Sequence, residues 1–191
     1  MESNDILRRH GEAIDLFGDR VHAVRDDQWD APTPCTDWTV RDLVNHLTAE
    51  QLWVPRLVRD GATMEEVGDA FDGDVLGDDP VAVWDRAAVA AVAAFSEPGA
   101  LDREAHLSYG TSGAAAYCSQ MTMDAVVHAW DLSRAIGASE ELPGELVGHA
   151  LREVEPYAAE LSKSGLFAPA VEPPAGADEL TRLLCLLGRR P

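Results

Sequence analysis

Lysine is nearly absent from this chain. Lys163 is the only one, and with the arginines it makes 15 basic residues against 34 acidic ones, a net charge of −19 over 191 residues. Nucleic-acid binding draws most of its affinity from clustered Lys and Arg. The arginines here are scattered, so no nucleic-acid partner is expected. Long apolar runs are also missing, and nothing approaches the roughly 18 residues that a membrane span needs. The start, Met-Glu-Ser-Asn-Asp, is acidic and lacks the apolar segment of a signal peptide. These absences predict a cytoplasmic protein without a membrane partner. Cysteine is scarce, and Cys35, Cys118 and Cys185 are odd in number, far apart and without CxxC spacing. That excludes a disulfide framework and a structural zinc knuckle. Residues 61–79 hold an acidic cluster, Asp72, Asp74, Asp78 and Asp79, but not the D-x-D-x-D-G order of a calcium loop. They read as a mobile surface loop. No repeat and no strand stands out.

What the chain does have is helical periodicity with clear boundaries. Residues 4–25 place Ile6, Leu7, Ile14, Phe17 and Val21 at helical spacing. His10 and His22 on this helix read as rim or surface residues, since neither has an acidic or histidine partner at i+3 or i+4 in an apolar setting. Pro32 and Pro34 then force an extended loop, pinned by Trp29 and Trp38. Within it Cys35 reads as a packed small residue ahead of a reactive thiol, because nothing basic lies beside it in sequence to lower its pKa. Thr39-Val-Arg-Asp42 has the form of a capping box and opens a second helix, which Pro55 should kink or end. Asp79-Pro80 caps a third helix over about 80–96. Residues 97–116 are turn-rich and should lie near the start of a fourth helix, about 114–136, that stops at Gly137. A fifth helix over about 145–163 and a last one over about 178–187 complete an all-α bundle with four main helices and extra C-terminal helices, in a single domain 1–191.

The fourth helix carries the unusual chemistry. Asp124 and His128 are four residues apart, and Asp131 is three further on, at the edge of an apolar stripe. Buried charge is costly unless paired or bound to a metal. His46, on the inward edge of the second helix, supplies another imidazole. Two imidazoles and one carboxylate on facing helices suit a divalent metal: zinc first, with nickel or iron(II) as options, and with positions left open. The rival reading is a buried His–Asp pair that only stabilises packing. Glu50, one turn past His46, suits a general base or an exposed acid equally. Arg134 reads as a surface ion-pair partner.

Pro34-Cys-Thr-Asp-Trp-Thr-Val-Arg-Asp-Leu-Val-Asn-His46 resembles the first signature of the mycothiol-dependent maleylpyruvate isomerase N-terminal family, within the DinB/YfiT-like bundles. Asp124-Ala-Val-Val-His-Ala-Trp-Asp-Leu-Ser-Arg-Ala-Ile-Gly137 resembles its second signature, in a metal-binding subgroup common in actinobacteria. The terminal Leu-Leu-Cys-Leu-Leu-Gly-Arg-Arg-Pro191 fits the same subgroup. The resemblance implies a four-helix bundle with a divalent metal on His46, Asp124 and His128, and Asp131 beside them suits orienting a ligand or binding the start of a neighbouring helix. The isomerase has glutamate where this chain has the shorter Asp124. The implied activity is that of a metal-dependent thiol S-transferase or isomerase, with mycothiol or a similar thiol as cosubstrate and a small-molecule electrophile as its partner. A homodimer is compatible with it. A metal-dependent hydrolase and a non-catalytic metal-binding or stress-response module are the alternatives.

Overall fold

The computed structural model describes residues 3–158, 161 and 168–191. Apolar residues spaced at three and four give α1, Ser3–His22, which buries Ile6, His10, Ala13, Ile14, Phe17 and Val21 along one face. It ends three residues before the predicted boundary. The capping box at Thr39 and Asp42 starts α2, Val40–Val54. Pro55 does not end the helix. Its missing N–H is accommodated by one wider turn, Pro55–Arg59, in which Asp60 N donates to Pro55 O at 3.0 Å. A short α3, Met64–Val67, precedes α4, Pro80–Ser96, whose N-cap Asp79 accepts from Ala82 N.

Residues 97–116 correct the expectation of turns without strands. After a 3₁₀ turn, β1 (Glu104–Leu107) pairs antiparallel with β2 (Gly110–Gly113), with Leu107 opposite Gly110 and Glu104 opposite Gly113. The hairpin feeds α5, Ala114–Ile136, which ends at Gly137 in the left-handed region at φ 71°. The fifth predicted helix is α6, Gly144–Val154. It stops well short of 163, and residues 159, 160, 162 and 163 of the predicted span lie outside the described ones. The last helix is α7, Glu179–Leu186, capped by Asp178.

Helix α1 packs on α5, α5 on α2, α2 on α4, and α4 on α1, which closes a four-helix ring. Helix α6 lies on α5 and α7 on α6. Two apolar cores fill the ring. One holds Phe17, Leu43, Leu47, Trp84, Val126 and Leu132 and extends under α6 and α7. The other, around Val54, Leu57, Phe95, Tyr117 and Met121, is closed by the hairpin. His10 is 1% exposed, not on a rim, because α4 and α5 cover it. Burying a side chain such as Phe17 or Leu43 is worth about 1.5–3 kcal/mol. No helix among the described residues is long and apolar enough to cross a membrane.

The acidic stretch 61–79 is tethered, against the expectation of mobility. Arg41 Nη2 donates to Asp74 Oδ2 at 2.7 Å and to Gly77 O at 2.8 Å. Asn45 donates to Gly73 O and accepts from Val75 N, both at 2.8 Å. Leu76 is fully buried. Side chains of α2 itself thus hold this loop against the helix that carries His46.

Candidate metal centre

Helix α2 brings His46 into place by its cap. Thr39 Oγ1 accepts from Asp42 N at 3.2 Å, and Asp42 Oδ2 accepts from Thr39 N at 2.9 Å, so the first turn is fixed. Two turns on, His46 faces α5. There Asp124 presents one oxygen to each imidazole: Oδ2 lies 3.4 Å from His46 Nε2, and Oδ1 lies 3.4 Å from His128 Nε2. A charge-assisted hydrogen bond would be nearer 2.8 Å, at about 2.7–2.9 Å. Two donors held by one tetrahedral ion at about 2.0–2.1 Å lie about 3.4 Å apart. The spacing therefore fits ligand atoms around a common ion better than a tight ion pair. One atom from each of His46, Asp124 and His128 lies within 4.8 Å of the others. The side chains become more buried from His46 (31% exposed) through Asp124 (18%) to His128 (5%), so the cluster opens toward solvent at His46.

His128 is oriented from behind. Its Nδ1 lies 2.9 Å from Asp131 Oδ2, and Asp131 is fully buried. With Nδ1–H given to a carboxylate, Nε2 is the nitrogen left for a metal. Burial works against ionising Asp124, but the His128 and His46 imidazoles more than reverse it and hold the carboxyl well below its usual range. Burial likewise works against protonating His128, and Asp124, Asp131 and the Cys35 thiol more than reverse that. Burial and the Asp124 charge push the Glu50 carboxyl up, while His46 and His128 pull the other way. Glu50 is half-buried and thus stands beside the cluster in the direction expected for a proton-accepting group.

The loop before α2 closes one side. Trp38 N donates to Cys35 O at 3.0 Å, and Thr33 N and Oγ1 both donate to Trp38 O at 3.0 Å. Asp37, at φ 68°, makes the turn. The indole of Trp38 lies 5.0 Å from the His46 ring and stacks on His128 at 6.1 Å. Next to this loop an open groove of about 430 Å³ reaches His46, with Trp38, Asn45, Ala49, Phe71 and Asp72 in its walls.

Cys35 packs against the main core, as expected. The fold puts basic groups beside it that the local sequence does not contain: Arg189 Nη2 lies 3.4 Å from Sγ, and His128 Nδ1 lies 3.8 Å away. Cys35, His128 and Asp131 also group three donor atoms within 4.8 Å. There, however, Arg189 donates from Nη2 to Asp131 Oδ2 at 2.7 Å and from Nε to Oδ1 at 3.2 Å. Its guanidinium already takes the place a cation would occupy. The metal-compatible cluster is therefore His46, Asp124 and His128. Burial pushes the Asp131 carboxyl up, and His128 and Arg189 pull it down to about 2.

His106 and Tyr109 stay on the hairpin: His106 Nδ1 lies 3.1 Å from Thr111 Oγ1, and Tyr109 bonds Gln120 one turn before Asp124. Arg134 pairs with Glu140, Nη2 to Oε2 at 2.9 Å, as expected. Sequence reasoning gave Trp38, Cys35 and Arg189 no role at the site, although all three lie in the segments that carry the family resemblance. A further signal for Arg189 is the carboxylate of Asp131 on an inward edge, in a chain poor in cations.

The family model described as the mycothiol maleylpyruvate isomerase N-terminal domain matches residues 10–133. Uncharacterized proteins from two strains of Mycobacterium tuberculosis are each 32% identical over 142 residues, covering 74% of this chain and 73% of theirs. Crystal structures of the mycothiol-dependent maleylpyruvate isomerase and of a histidine-to-alanine mutant superpose with TM-scores of 0.65 and 0.68 at 16% and 17% identity. Each match covers 85% of this chain and 70% of that one. At such identity the likeness shows the fold, a helical bundle of the same architecture.

Proposed function

The chain belongs to the mycothiol maleylpyruvate isomerase N-terminal domain family, and on that basis we propose that it is a divalent-metal enzyme that uses a low-molecular-weight thiol of the mycothiol type on a small electrophile. The reaction is S-transfer or a thiol-assisted isomerisation, within one domain. The observation that carries the reading is the 3.4 Å spacing of both imidazole Nε2 atoms from the two oxygens of Asp124, beside a groove open at His46. His46, Asp124 and His128 would hold the ion, and the donor set favours zinc, then nickel or iron(II). Such an ion, when bound, lowers the pKa of a coordinated thiol toward neutrality.

The remaining chemistry belongs to the chain's own residues. Asp131 keeps the proton on His128 Nδ1 and so leaves Nε2 to the ion. Glu50 takes the thiol proton; burial makes its carboxyl a better base than a surface acid. Trp38 shields the imidazoles from water on one side. The groove that Trp38 helps to wall admits the thiol and its electrophile beside His46. A second reading, hydrolysis by water in place of the thiol, is favoured by the same position of Glu50.

Elemental analysis should find close to one divalent ion per chain, and His46→Ala and His128→Ala should each remove it. Conjugation of a thiol to a model electrophile such as bromobimane should then exceed the uncatalysed rate only with the ion bound, and fall back to that rate with chelator. Native protein without metal would end the proposal, and metal-dependent ester cleavage without any thiol would favour the hydrolase.

A further inference from the structure

We propose that Arg189, near the end of the chain, is a positioning residue for the metal centre and acts through Asp131 on His128. This rests on the metal reading of His46, Asp124 and His128. The guanidinium binds both oxygens of Asp131, Nη2 to Oδ2 at 2.7 Å and Nε to Oδ1 at 3.2 Å. A two-point fork fixes the plane of a carboxylate, which a single contact does not. With the plane fixed, Oδ2 faces His128 Nδ1 at 2.9 Å. The ring is thereby held with Nε2 toward Asp124, the orientation a ligand needs. Arg189 also balances a carboxylate with no exposure to solvent, an arrangement that is costly to leave unpaired.

The tail is built to deliver this side chain. Gly188, at φ 79°, turns the chain after α7, and Arg189 N donates to Leu184 O at 2.8 Å. Arg189 Nη1 donates to Leu187 O, and Arg134 Nη1 holds Arg190 O, both at 2.9 Å. Arg189 Nη2 meets Cys35 Sγ at 3.4 Å, on the loop that carries Trp38. One guanidinium therefore joins the C-terminal tail, α5 and the loop before α2.

The test is cobalt(II) affinity of the full chain, measured at fixed pH and ionic strength by competition with a chromophoric chelator, together with the visible spectrum of the bound ion. Arg189→Met should weaken binding roughly 10- to 100-fold, the range for outer partners of metal ligands, and should alter the spectrum. Arg189→Lys, which keeps the charge but not the fork, should fall between. Arg182→Met, which removes an exposed ion pair to Glu155, should match wild type. If Arg189→Met does not fold, Arg189→Lys decides by the same criterion. A folded Arg189 variant with wild-type affinity and spectrum, alongside His128→Ala that binds no cobalt, overturns this proposal alone. A wild-type chain that binds no cobalt overturns the metal reading and this inference with it.

Discussion

His10 should make the fold sensitive to mild acid. Its ring is 1% exposed and meets Phe95 edge-on at 5.0 Å. Thr122 Oγ1 donates to Cys118 O at 2.7 Å and is left to accept from His10 Nδ1, 3.4 Å away. A second proton would sit on Nε2, which has no hydrogen-bond partner among the described residues. Burial accordingly lowers the His10 pKa from 6.5 to about 4. Between these values the unfolded chain binds the proton and the folded chain does not, so stability rises with pH. The contribution is complete above pH 6.5 and is lost as pH falls toward 4. At 1.36 kcal/mol per unit, it amounts to roughly 3 kcal/mol. Urea unfolding of wild type and His10→Leu across this window isolates the effect, because the other histidines cancel in the difference. The stability of wild type relative to His10→Leu should fall by roughly 3 kcal/mol on acidification. Parallel curves for the two proteins would refute the assignment of a neutral buried imidazole.

Cys35→Ser should retain the metal in full by elemental analysis, because Arg189 excludes an ion from the cluster that Cys35 shares; loss of the ion would move the site to that cluster. Gly188→Ala should be strongly destabilising in thermal melts, since its Cβ would come within 2.6 Å of the Ala168 carbonyl oxygen at a φ of 79°. Any folded fraction should bind cobalt more weakly, because the turn that aims Arg189 is displaced. Thr39→Ala should lower the unfolding free energy by about 1 kcal/mol through loss of the cap, while a null result in urea titration would mean that the loop alone sets the start of α2.

The helices were legible because their ends are written locally. Thr39 with Asp42, Asp79 with Pro80, and Gly137 each mark a boundary within a few residues, and the structure places boundaries there. The pairing of His46 with Asp124 and His128 was legible from inward edges on two helices. Other features depend on distant chain. His10 looked unpartnered because its neighbours, Phe95 and Thr122, come from α4 and α5. Cys35 looked free of basic neighbours because Arg189 is 154 residues away. The hairpin escaped notice because four-residue strands are too short for alternation to show. The acidic loop looked free because its tethers, Arg41 and Asn45, sit on a different element.

Helix α5 is covered on nearly every side. It gives residues to both cores, and even Ser133, Asp131 and Thr122 are closed to solvent. A helix so enclosed has little freedom to vary, and Asp124 and His128 are written into it. The groove beside His46 is different: Phe71 and Asp72 come from a connection, and Asn45 and Ala49 from the outer edge of α2. Substitutions in those walls would reshape the groove and leave the spacing of His46, Asp124 and His128 in place.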